Sequence, residues 1–81
     1  MRKAIKAAVT TRSVIARINR RLKPDLEMLK ITRGERMRQD VGDYYVVNFE
    51  INGITHKDVD PEQMGRDLGV LQAWEVVADD K

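Results

Sequence analysis

Tyr44-Tyr45-Val46-Val47-Asn48-Phe49-Glu50-Ile51-Asn52-Gly53-Ile54-Thr55-His56 is the stretch on which the fold turns. Its first eight residues are rich in the aromatic and β-branched side chains that suit a pleated surface. Asn52-Gly53 is the preferred two-residue turn of a type I′ hairpin, because both central positions there need positive φ. A return strand over 54–58 completes the hairpin. This turn sets Ile51 opposite Ile54, Glu50 opposite Thr55, Phe49 opposite His56 and Asn48 opposite Lys57. Alternation then predicts a core face of Tyr45, Val47, Phe49, Ile51, Ile54 and His56. Tyr44, Val46, Asn48, Glu50, Thr55 and Lys57 fall on the other face.

Working back toward the N-terminus, residues 34–43 are polar, with Arg36, Arg38 and Gln39 close together. They read as a loop of about ten residues, a length that implies mobility or function. Residues 25–33 admit two readings. Pro24, Asp25, Glu27 and Gly34 suit a short helix, but Leu26, Met28, Leu29 and Ile31 form no single stripe, and Ile31-Thr32 favours a strand over 27–33. The strand is preferred. A helix over 11–23 is better marked, since Val14, Ile15, Ile18 and Leu22 make one apolar stripe. Thr10 or Thr11 caps it and Pro24 ends it. Arg12, Arg17, Arg20 and Arg21 occupy its opposite face. Residues 1–10 read as a basic arm or a helix extension.

Toward the C-terminus a second helix is expected over 61–68. Asp60 is its cap, Pro61 its first residue, Gln63 stands at capping-box spacing and Gly69 supplies a left-handed stop. Residues 70–77 hold Leu71, Trp74 and Val76, a tail able to fold back on the body with Trp74 as anchor, and 78–81 should fray. The expected architecture is an α+β domain of order α-β-β-β-α over 11–77, with two helices on one face of a three-stranded antiparallel sheet.

The chain has 81 residues, 42% of them hydrophobic, so one small core is the most it can build. It contains no cysteine, which removes disulfides and thiolate chemistry. No apolar run reaches the ~20 residues of a membrane span, and the basic N-terminus lacks a signal-peptide pattern. A soluble, cytoplasmic protein is expected.

The net charge of +2 conceals a division. Residues 1–38 carry twelve basic side chains against three acidic ones, a formal +9, and residues 39–81 carry −7. Eight of the twelve are arginines, whose planar fork binds phosphate or carboxylate in two-point fashion. Two readings compete: a basic face for an external partner, or neutralisation by the chain's own acidic half or by that of a second copy in a homodimer.

Catalytic signatures are sparse. His56 and Ser13 are the only residues of their kinds, no metal-ligand or phosphate-loop string occurs, and no cofactor is implied. His56 reads as a partly buried sheet residue. Arg33, Arg36, Tyr44, His56 and Lys57 are of the types that grip phosphate and move a proton in small ribonuclease toxins, and Gly42-Asp43-Tyr44-Tyr45-Val46-Val47 loosely resembles the central strand of that family. Tyr44 and Tyr45 raise the possibility of a base-stacking platform.

The α-β-β-β-α order is also that of the double-stranded RNA-binding domain, a family that grips phosphates with lysines at the start of its second helix. Asp60-Pro61-Glu62-Gln63 is acidic at that point, so no contact residue carries over. A broader resemblance covers residues 14–75. Arg17-Ile18-Asn19-Arg20-Arg21-Leu22, Gly42-Asp43-Tyr44-Tyr45, and the run from Val59 through Leu71 with Trp74-Glu75 are similar to a group of small proteobacterial proteins carried on plasmids, integrative elements and phage-like islands. That resemblance implies a mobile-element accessory role and supplies no catalytic residues.

The leading expectation is a non-enzymatic nucleic-acid binder using Arg12, Arg17, Arg20, Arg21, Arg33, Arg36 and Arg38. The alternative is a protein-binding inhibitor of a host-defence complex of CRISPR or restriction type, in which Asp60, Glu62 and Asp67 stand in for phosphates. A ribonuclease toxin is a further alternative.

Overall fold

The computed structural model describes residues 7–79. Residues 1–6 of the arm or helix extension expected over 1–10, and Asp80 and Lys81 of the expected frayed tail, lie outside them. No helix among the described residues is long and apolar enough to cross a membrane.

The chain enters as strand β1 (Ala7–Val9), a feature the reading of 1–10 as an arm or helix extension does not anticipate. Helix α1 (Thr11–Leu22) follows, and the Thr10 hydroxyl accepts from the Ser13 N–H at its N-terminus. Val14, Ile18 and Leu22 are buried along one stripe of α1. A 3-10 turn, Lys23–Asp25, carries Pro24, and Leu26 then adopts a left-handed φ of 60°. Strand β2 (Glu27–Ile31) upholds the strand reading of this segment.

The expected loop over 34–43 is instead largely helix α2 (Glu35–Val41). Gly34 and Gly42 flank it with φ of 92° and 83°, a region that costs other residues steric strain. Its only buried member is Val41, which is why the segment carries so little hydrophobic periodicity. Strand β3 (Tyr44–Asn48), strand β4 (Gly53–His56), helix α3 (Pro61–Asp67) and strand β5 (Glu75–Val77) complete the domain.

The structure is α+β, with three helices and an antiparallel sheet of order β2-β3-β4. A second, two-stranded sheet pairs β1 with β5 in parallel, Ala7 with Glu75 through Val9 with Val77. The Asp79 carboxylate accepts from the Thr11 N–H at 2.7 Å and the Thr11 hydroxyl at 2.6 Å, so the start of α1 and residue 79 are tied rather than frayed. Strands of three residues carry too little pattern to be read from sequence.

The hairpin departs from its expected register. Asn48 pairs with Gly53, Val47 with Ile54 and Val46 with His56, with an irregularity between Val46 and Val47. Phe49 therefore does not face His56. The Asn48 side chain accepts from the N–H groups of Glu50 and Ile51, which starts the turn several residues early, as an Asx turn does. Asn52 has φ of 54° while Gly53 stays out of the positive-φ region, so no type I′ turn forms.

The core lies on the opposite sheet face from the one expected. Val46 is fully buried, whereas Phe49 is 55% and Ile51 67% exposed. Tyr44 packs against the core, and Tyr45 is itself buried although it is not part of the main cluster. That cluster joins Val14, Ile18 and Leu22 of α1 to Leu29 of β2, Val46 of β3, Val9 and Leu71. Leu29 is the cross-strand partner of Val46, so the β2 register brings both under α1. Each fully buried aliphatic side chain contributes about 2 kcal/mol.

Asn19 fixes α1 to the sheet. Its amide donates to the Leu29 carbonyl at 3.2 Å, and its oxygen accepts from the Leu29 N–H at 2.7 Å. This satisfies the outer edge of β2 at that residue and blunts it against further pairing. Helix α3 packs on α1 through Gly65, where a Cβ would lie 3.1 Å from Val14 Cγ1. The α3 cap forms as expected, Asp60 accepting from the Glu62 N–H, and Gly69 takes φ of 76°. Gln63 bonds Asp67 rather than closing a capping box. Trp74, expected as a core anchor, is 56% exposed, because the tail is held instead by Leu71 and by β5.

Candidate functional site

The seven candidate arginines fall into three environments. Arg17, from the middle of α1, donates to Glu75 Oε1 at 2.8 Å and to the Val70 carbonyl at 3.1 Å. Glu75 is 9% exposed and also accepts from the Gln72 N–H. Arg38 pairs with Asp43 at 3.0 Å and Glu35 at 3.5 Å. Arg12, Arg20, Arg21, Arg33 and Arg36 are exposed and make no ion pair among the described residues.

Arg17 therefore serves the fold. The hydrogen bond from its guanidinium is the main reason the Glu75 carboxyl is held below the usual glutamate range, the Gln72 N–H adds to this, and burial opposes it. The same hydrogen bond raises Arg17 above its ordinary value. A depressed carboxyl stabilises the native state in full above its unfolded pKa of about 4.3, and that contribution disappears as pH falls through the lower folded value. Glu75→Gln should therefore be less stable than wild type at pH 7, with the difference in Tm closing below about pH 4. A difference that persists unchanged in acid refutes this role.

Arg20 and Arg21 line one recess with Arg17 and Val70, of about 290 Å3. Arg20 also borders a larger one of about 580 Å3, where it stands with Lys23 opposite Leu26, Glu27, Met28 and Phe49. Arg20 thus joins two adjoining grooves along α1. Spacings of three and four residues place Arg17, Arg20, Arg21 and Lys23 side by side on the helix surface. Arg33 and Arg36 line a separate recess beside Glu35 and Asp40, so α2 does not extend the α1 groove.

The acidic candidates also divide. Asp60 and Asp67 line one recess with Asp58, a residue the sequence reading does not single out. Glu62 turns away to pair with Arg66 at 3.2 Å. The ribonuclease set is not assembled around one recess: Arg33 and Arg36 lie at one, Tyr44 at a second, and His56 with Lys57 at a third. His56, expected to be partly buried, is exposed, with Nδ1 3.2 Å from Thr55 Oγ1. Neither Tyr44 nor Tyr45 is exposed, which leaves no tyrosine stacking platform. Among the described residues no three His, Asp or Glu side chains gather as a metal site.

Phe49 and Lys23 are the residues that sequence reasoning passes over at the α1 groove. Alternation places Phe49 in the core, and the signal that releases it is Asn48, an Asx-turn former just before it. No protein family, curated protein or solved structure matches this chain.

Proposed function

We propose that this protein binds nucleic acid through the exposed face of α1, with Arg20 and Arg21 as principal phosphate contacts and Arg12 and Lys23 as flanking charge. One observation carries the reading. Arg20 and Arg21 stand together on the helix without a carboxylate partner among the described residues, in a chain whose second half carries −7. Unpaired guanidinium groups lining a shared recess suit phosphate oxygens. The Asn19 clamp and the Arg17–Glu75 pair hold the helix in place beneath them.

Binding of this kind releases counterions, so it should weaken steeply with salt. Fluorescence anisotropy with labelled DNA and RNA at low salt should show binding. Replacing both Arg20 and Arg21 with Ala should reduce the slope of log K against log salt by about 1.5–2 and lower affinity at least about tenfold at 0.1 M salt. Absence of binding at low salt, or an unchanged slope in the variant, defeats the proposal.

A second reading, a protein-binding inhibitor of a host-defence complex, has one observation in its favour: Asp58, Asp60 and Asp67 line one recess, together with His56 and Lys57. It requires a protein partner that survives nuclease treatment and is lost on charge reversal at Asp60 and Asp67. An accessory role on a mobile element is compatible with either reading.

A further inference from the structure

We infer that the recess between α1 and β2 holds an unpaired nucleobase, so that the nucleic acid engaged by α1 is single-stranded. This rests on the nucleic-acid reading of α1 and adds to it the form of the ligand. The recess, about 580 Å3, has two unlike walls. One is cationic, with Arg20 and Lys23 standing one helical turn apart. The other is apolar: Leu26 and Phe49 are 50% and 55% exposed, surface that a small domain leaves open to water only at a cost.

The apolar wall is held in place. The Phe49 N–H donates to the Leu26 carbonyl at 2.8 Å, joining the β3–β4 turn to the left-handed residue ahead of β2. The Asn48 side chain holds the same turn from within. Phe49 is therefore an aromatic surface on an anchored backbone, lining the same recess as Arg20, which also borders the neighbouring arginine recess. Stacking on such a ring is open to every base and closed to bases already stacked in a duplex.

Glu27 orients the ligand. It lines the same recess; one carboxylate oxygen accepts from the Asn48 amide at 3.5 Å, and the carboxylate has capacity to accept further hydrogen bonds but none to donate. It repels phosphate and accepts from base N–H groups, so the phosphates lie along Arg20 and Lys23 while the base edge turns toward Glu27. A duplex offers backbone phosphates to the arginines but has no free base to place over Phe49.

The test compares a labelled single-stranded 20-mer with its duplex by anisotropy at low salt, for wild type, Phe49→Ala, Phe49→Tyr and the Arg20→Ala/Arg21→Ala double variant. Wild type should prefer the single strand. Phe49→Ala should weaken single-strand binding about tenfold and leave duplex binding unchanged, and Phe49→Tyr should retain it. The exposure of Phe49 lets both variants fold, which circular dichroism melts verify. In a second measurement, a nucleoside monophosphate should shift the methyl resonances of Leu26. Equal single-strand binding by wild type and Phe49→Ala, or preference for the duplex, overturns the inference while the arginine contacts stand. Failure of both nucleic acids to bind at low salt overturns both proposals together.

Discussion

Val46→Asp should abolish the cooperative thermal transition, whereas Val47→Asp, one residue further on, should lower Tm by only a few degrees. The two valines are chemically identical neighbours on β3, and only the packing separates them. Val46 is fully buried in the cluster with Ile18 and Leu29. A carboxylate there would lose its hydration without gaining a partner, a penalty of several kcal/mol. That is a large share of the roughly 4–12 kcal/mol that a domain of this length possesses. Val47 lies on the other face, between Met28 and Ile54, both exposed by more than a third. Its replacement costs about 1 kcal/mol of strand preference and partial burial. Thermal melts followed by far-ultraviolet circular dichroism distinguish the outcomes. Equal damage from both substitutions contradicts the one-sided core.

The second large effect is expected at Gly42, where three segments meet. Thr32 Oγ1 donates to the Gly42 carbonyl from the end of β2, and the Asp58 N–H donates to the Val41 carbonyl at 2.7 Å from the segment before α3. Gly42 itself has φ of 83° and ψ of −169°, a combination that other residues almost never adopt. An added Cβ would also stand 2.9 Å from the Cα of Asp58, and that backbone is held by its own hydrogen bond to Val41. Gly42→Ala should cost about 3 kcal/mol, lowering Tm by roughly 15–20 °C in a domain of this size. Gly69→Ala is the control. Its φ of 76° is similarly unfavourable, but nothing lies within 4 Å of the added methyl, so its cost should stay near 1 kcal/mol. Equal losses at the two positions remove Asp58 from the explanation.

The candidate site was half legible in the chain. The arginines of α1 were visible because a helical stripe declares both of its faces at once. Which of them remain available was not, since the carboxylate that engages Arg17 lies 58 residues away at Glu75. Arg38 is bound closer by, yet its pairing with Glu35 depends on a helix the sequence hardly signals. Asp58 and Asp60 reach one recess with Asp67 only because α3 folds back beside the end of β4.

Several elements follow from the chain alone. The Thr10 cap with the Val14-Ile18-Leu22 stripe writes α1, and Asp60-Pro61 with Gly69 bounds α3. The division of charge between the two halves is equally plain. These are local signals, acting through hydrogen bonds and side chains within one or two turns of where they stand. Tertiary structure decided which face of β3 became core, since Tyr44-Tyr45-Val46-Val47 is apolar on both sides and the register of β2 beneath α1 chose between them. It also moved the turn away from Asn52-Gly53, made a helix of 35–41 and joined Ala7–Val9 to Glu75–Val77, because each of these is settled by contacts between residues far apart along the chain.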